Sequence, residues 1–261
     1  MNSETSSVFT TIGWDGERSF FAIDEHLERL EKHAMIADIR FDEGLKTKII
    51  TQMKTQPFKV INSNQSNDLC KPPGLVTVRV NKEGTISLSE RSNEFNINCN
   101  VINAITITAP EDIKETLGVK SGEHLPYKNA YRIAKEYEGN AALLVYRDAV
   151  IDGDRATLMI LDKDGTAWVS SEEYGSIKSI TVELIKDDLL KNGIPISFGK
   201  ITTDLILRSS DAIMLGTGLG VTRIHSIDGR IFKFPNSILF DNVKSVFSEL
   251  MKEKWTDLNE G

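Results

Sequence analysis

Four stretches of the 261-residue chain carry side chains that could do chemistry: Arg29 in HLERL, Lys128 in PYKNAYR, Asp152 in AVIDGDRATL and Thr217 in LGTGLGVTRI. Each has an ordinary alternative. Arg29 falls on a helical pattern, where pairing with Glu25 or Glu28 is the default for an exposed charge. Lys128 opens a helix just after Pro126. A cation there opposes the helix macrodipole, so it has no evident structural task, and the alternative is a plain surface lysine. Asp152-Gly153 reads first as a hairpin turn, second as a carboxylate projecting from a strand end. Gly216 to Gly220, GTGLG, has GxGxG spacing, but no helix follows it, so the dinucleotide fingerprint fails. It also lacks the GK[ST] of a phosphate loop, and no HRD or DFG accompanies it. What remains is a tight turn with backbone N–H groups and the Thr217 hydroxyl, a suitable cradle for an anion.

These residues need elements to hold them. Val8 to Ile12 and SFFAI read as strands around an Asp15-Gly16 turn, followed by a helix DEHLERLEKHAMIA capped by Asp24. A second helix spans about 43–56, with Leu45, Ile49, Ile50 and Met53 as its apolar stripe. After the polar loop NSNQSNDLCKPPG come a hairpin, LVTVRV and TISLS, and an Ile/Val-rich stretch to Pro110. PEDIKETLGVKSGEHL reads as a linker between two domains, 1–115 and 122–261. A helix over about 127–138 and the short strands AALLVY, AVID, ATLMIL and TAWVS follow. Next come a helix over about 180–191 ended by Asn192-Gly193, a strand PISFGKI, a short helix in TTDLILRSSD and a strand-rich segment to Phe234. A last amphipathic helix covers about 243–255. The first half reads as α/β and the second as α+β, without the regular βαβ rhythm of a dinucleotide-binding fold.

Composition narrows the partners. A net charge of -7, with no cluster of basic residues, argues against a nucleic-acid or anionic-membrane partner. The start of the chain lacks a signal-peptide pattern and the apolar runs are too short for a membrane helix, so a cytoplasmic protein is expected. Cys70 and Cys99 have no metal or redox spacing and read as reduced thiols, with Cys70 exposed in a polar loop.

Taken in order, the stretches resemble the class IV aminotransferases, the fold type IV enzymes of pyridoxal 5′-phosphate (PLP). That group includes branched-chain and D-amino acid aminotransferases and aminodeoxychorismate lyase. FTT and HLERLEKHA resemble the family's F-[ET]-T and H-x-x-R-L-x-x-[SA]-A, and PYKNAYR its lysine segment. AALLVY with AVIDGDRATL resembles its A-L-L-L and V-x-[ED]-x-x-x-x-N strand pair. SIKSITVELI resembles its L-x-G-I-T-R helix start, and LGTGLGVTRIHSIDGRIF its G-T-A-x-x-V-x-P-V-x-x-I-D-G. The match is collinear over about residues 8 to 232.

The resemblance implies roles. Lys128 would bond the cofactor's aldehyde and shuttle the substrate proton. Asp152 would face the pyridine nitrogen. Arg29, the N–H groups of Ile180 and Thr181 next to Ser179, and the Gly216-Thr217 turn would take the phosphate. It further implies a two-domain fold like that of D-amino acid aminotransferase, a homodimer, and an amino acid with a 2-oxo acid as substrates. Arg79 and Tyr127 are candidates for substrate contact. The chain departs from the pattern in several places. The Lys128–Asp152 segment is several residues short, and Asp stands where Glu is commoner. Ser179 replaces Gly, Val182 replaces Arg, Thr157 replaces Asn, and the strands before FTT are nearly absent. Three functions are carried: a transaminase, an aminodeoxychorismate-type lyase, and a family member that binds without catalysis.

Overall fold

The computed structural model describes residues 7–59, 70–94, 101–232 and 237–259. The chain forms two compact units that are not consecutive halves. The first comprises 1–97, 119–124 and 251–261; the second comprises 98–118 and 125–250.

The first unit opens with β1 (Ser7–Trp14) and β2 (Ser19–Phe21), then α1 (Ile23–Ile36), α2 (Glu43–Thr55), β3 (Gly74–Asn81) and β4 (Ile86–Ser92). β1 is rich in β-branched and aromatic residues, as a strand covered by a helix must be. Its even positions, Val8, Ile12 and Trp14, pack in one core with Leu27, Leu30 and Ala34 of α1. Burying each such large side chain contributes about 1.5–3 kcal/mol. α1 starts on Ala22, in a left-handed conformation with φ 50° and no side-chain cap. Asp24, the expected cap, lies instead in the first turn, where its charge suits the macrodipole. α2 has the expected kind of cap: the Asp42 side chain accepts the Leu45 N–H at 3.0 Å.

In the second unit come β5 (Val101–Thr108), α3 (Leu125–Glu136), β6 (Ala141–Tyr146), β7 (Ala149–Gly153), β8 (Thr157–Leu161) and β9 (Ala167–Ser170). They are followed by α4 (Ile180–Lys191), β10 (Ile196–Gly199), α5 (Thr203–Arg208), β11 (Asp211–Gly216), β12 (Gly220–Ile227), β13 (Arg230–Ile231) and α6 (Ile238–Glu253). These strands form one mixed sheet in the order β10-β9-β8-β11-β12-β5-β6-β7, with β13 paired to β12. β14 (Trp255–Asp257) belongs to the first unit, whose sheet runs β14-β2-β1-β3-β4.

Three expectations change. The stretch 110–125 is not a single connector: Glu111–Glu115 is a 3-10 helix of the second unit, and 119–124 belongs to the first. The last helix begins at Ile238, earlier than its apolar periodicity indicates. Cys70 is buried, with 1% exposure; Cys99 lies outside the described residues. Among the described residues no helix is long and apolar enough to cross a membrane, and no His/Cys/Asp/Glu group could hold a metal.

Candidate active site

Within the first unit, α1 sets His26, Arg29 and His33 on one stripe, since residues three and four apart share a helix face. Thr10, fully buried on β1, meets that stripe. Arg29 Nη2 donates to Thr10 Oγ1 at 3.0 Å, and Thr10 Oγ1 lies 2.8 Å from His26 Nδ1. The threonine oxygen, with two lone pairs and one proton, bridges the Arg29 guanidinium and the His26 ring. Arg29 thus bonds a buried threonine rather than Glu25 or Glu28, and Glu25 pairs with Lys254 at 3.3 Å.

Lys120 joins this cluster. β2 pairs with β1 only at Gly13 and Trp14, so the other end of that β1 edge is open to residues 119–124. Phe9 N–H donates to the Lys120 carbonyl at 2.9 Å, Gly122 N–H donates to Ser7 O at 2.8 Å, and Val8 bridges Ser121. The Lys120 N–H donates to His33 Nδ1 at 3.2 Å, and its ammonium lies 5.7 Å from the Phe9 ring centroid. Arg79, opposite Phe9 in the β1–β3 register, stacks on the same ring at 5.0 Å. It also donates to Gly122 O and to Ser7 Oγ, the latter at 2.9 Å. Arg79 therefore clamps the Lys120 segment onto β1.

The electrostatics are those of a cationic nest. Burial, then the charges of Arg29 and Lys120, hold His26 well below the ordinary histidine range. The same causes, with Lys32, bring His33 down to about 3. Both imidazoles are neutral at working pH, and the two cations give the cluster its sign.

Within the second unit, Asp152 is a buried β7 residue in register with Leu144 of β6, not a turn residue, and its Oδ1 accepts the Gly153 N–H at 2.9 Å. Tyr127, 3% exposed on α3, has its phenol pushed far up, first by burial and then by the Asp152 charge. The next turn is pinned by Asp154, which accepts Ala142 N–H at 2.8 Å and Arg155 Nε at 2.5 Å. A Cβ on Gly216 would lie 3.3 Å from Ala156 Cβ, and Leu215 is in register with Thr157. The β7–β8 turn and the Gly216-Thr217 turn therefore sit at one end of the sheet. α4 packs against β11. Its N-cap, Ser179, uses its hydroxyl on Val182 N–H at 3.4 Å, and Ile180 and Thr181 are buried in the first turn. First-turn N–H groups have no partner within a helix and point toward any anion at that end.

Lys128 is the exception. It is exposed, because Tyr127, Ala130 and Ala134 form the buried face of α3 and position 128 turns away from it. Around Arg29 the structure gathers Thr10, His26, His33 and Lys120, none of which the sequence motifs assign a role. Lys120 stands eight residues before Lys128, so a segment counted from it to Asp152 is eight residues longer.

Solved structures share the fold. A branched-chain aminotransferase from Thermoproteus uzoniensis, solved with norvaline, superposes with a TM-score of 0.78 at 17% identity, over 97% of this chain and 90% of that one. A PLP-bound hypothetical aminotransferase from Mycobacterium tuberculosis gives 0.73 at 16%, over 98% and 90%. A protein from Legionella pneumophila designated a candidate 4-amino-4-deoxychorismate lyase gives 0.74 at 16%, over 94% and 91%. At these identities the likeness is one of fold. No curated protein matches the chain by sequence. The family model for amino-transferase class IV matches residues 7–227, most of the chain, which therefore belongs to the PLP-dependent class IV aminotransferases.

Proposed function

We propose that this protein moves an amino group between an amino acid of branched-chain type and a 2-oxo acid, with Lys120 rather than Lys128 as the amine that holds PLP. The observation that carries the assignment is that the Lys120 N–H is bonded to His33, on the same helix face as Arg29, with the Lys120 ammonium over Phe9, whereas Lys128 is exposed. The residues suit the cofactor. A phosphate dianion matches the Arg29 guanidinium. A buried carboxylate, Asp152, matches a protonated ring nitrogen. Two buried hydroxyls, Ser121 Oγ beside Lys120 and Thr222 Oγ1 on β12, have no hydrogen-bond partner among the described residues. Thr222 is in register with Met214, whose methyl crowds Gly153 next to Asp152. A polar ligand would satisfy hydroxyls that are costly to bury unpaired.

When bound, PLP supplies an electron-withdrawing ring that makes a bond at the substrate's α-carbon breakable. Lys120 Nζ would hold the cofactor at its aldehyde carbon, with loss of water, and as a free amine would carry the proton at the substrate's α-carbon. Asp152 would keep the ring nitrogen protonated. Arg29, the Ile180 and Thr181 N–H groups and the Gly216-Thr217 turn would take the phosphate. Ser179, occupied as a helix cap, would act by fixing that turn. The two compact units would serve as the two domains of this fold, and the active form would be a cytoplasmic homodimer. A lyase reading is kept because the Legionella pneumophila protein has the same fold.

The test is a pair of variants, K120A and K128A, followed by cofactor absorbance as amino acids and 2-oxo acids are added. K128A should keep the visible band and its response to branched-chain substrates; K120A should lose both. The reverse pattern would overturn the assignment. Pyruvate release from aminodeoxychorismate without a 2-oxo acid acceptor would select the lyase.

A further inference from the structure

Resting on the Lys120 assignment above, we propose that His33 is a positioning residue for that lysine: its imidazole accepts the Lys120 backbone N–H and fixes the point from which the reactive amine extends. The bonding along residues 119–124 leads to this. The segment lies on β1 as a short partial ladder, with its bonds made through Lys120 O, Gly122 N and the Val8–Ser121 bridge. That ladder uses the carbonyl of Lys120, while its N–H is bonded to a side chain of α1. His33 Nδ1 takes that N–H at 3.2 Å. The bond is part-buried, so it holds the N–H in place more firmly than a bond open to water would.

His33 is suited to the task in three respects. It is 3% exposed, so its ring does not wander. It sits on the α1 stripe that carries Arg29, so the same helix sets both the phosphate-directed guanidinium and the lysine's anchor. Burial and the facing charges of Arg29, Lys120 and Lys32 keep the ring unprotonated, so Nδ1 remains an acceptor. The family pattern has Ser or Ala at this position, and neither carries an acceptor on so long an arm. Lys120 is then held at three points: its N–H by His33, its carbonyl by Phe9 N–H, and its side chain over the Phe9 ring. Effective catalysis needs the amine to start from one geometry, and small misplacements are costly in rate.

The experiment compares H33L, which removes the acceptor, with H33N, whose Oδ1 occupies nearly the place of Nδ1. The first readout is hydrogen exchange of the Lys120 amide in cofactor-free protein, with amides of α4 as the reference for global opening. H33L should speed Lys120 exchange about tenfold against that reference, the loss of one hydrogen bond, and H33N should restore protection. The second readout is the holoenzyme's kinetics: H33L should lower kcat about tenfold with KM little changed, and H33N should recover it. Should H33L fail to fold, H33S takes its place with the same expected losses. Unchanged Lys120 exchange in the acceptor-lacking variant, or an H33N as defective as H33L, would overturn the proposal. Failure of the lysine assignment would appear elsewhere, as a K120A protein that still binds cofactor covalently.

Discussion

Acidification should destabilise the first unit through His33, and the size of the effect can be worked from its surroundings. In the unfolded chain the imidazole takes a proton near pH 6.5; in the fold, burial and the Arg29, Lys120 and Lys32 charges delay this to about pH 3. The unfolded state therefore binds more protons as pH falls, and stability drops from 6.5 downward until the folded form titrates. Each pH unit in that window costs about 1.4 kcal/mol, so about 2 kcal/mol is lost between pH 6.5 and 5. His26 is shifted in the same direction and adds to the loss. Asp154 and Asp211 have raised carboxyl values, chiefly from burial, and act with the opposite sign. The effect is isolated by taking the difference between wild type and H33N, which keeps an acceptor but cannot titrate. Urea midpoints at pH 7.5, 6.5, 5.5 and 5 should fall more steeply for wild type than for H33N, with the difference in slope confined to pH values below about 6.5. Parallel curves would refute the reasoning, because they would mean that His33 is protonated in the fold or reaches solvent.

Other perturbations probe the remaining parts. G153A should destabilise by about 1–3 kcal/mol in thermal or urea unfolding, since the added Cβ would lie 2.1 Å from Met214 Cε and 2.4 Å from Ala156 O. D152N should leave the fold intact and lower turnover on the order of 10²-fold, as expected when a charge stabilising the reacting system is removed. R29M should weaken PLP binding by about tenfold or more, read by equilibrium dialysis, with a smaller effect on pyridoxal, which lacks the phosphate.

Much of the architecture is legible in the chain because local signals are strong. The helix over Ile180–Lys191 falls where its polar start and Asn192-Gly193 end put it. The β-branched runs become β1, β3 and β5 to β8. What local pattern misses is long-range. Nothing in GVKSG announces that residues 119–124 return to β1, because that pairing is set by the open edge beside Val8 and not by propensity. The same return separates the two lysines. Lys128 carries the attractive helical motif but faces outward, while Lys120 lies in a stretch whose Gly and charge content read as a linker. Asp152 reads as a turn because Asp-Gly is a strong turn signal, yet it is a buried strand residue. The neutral histidines are likewise invisible in one dimension: HLERLEKHA shows the stripe, but their burial against Thr10 and beside Lys120 is tertiary.

The central claim, that the amine at position 120 bonds the cofactor, has a direct measurement. The protein is incubated with PLP, reduced with borohydride, digested, and the peptides are searched by mass spectrometry for the phosphopyridoxyl group. The account predicts the modification on the peptide containing Lys120, in stoichiometric yield. Modification confined to Lys128, or spread over surface lysines in low yield, would contradict it.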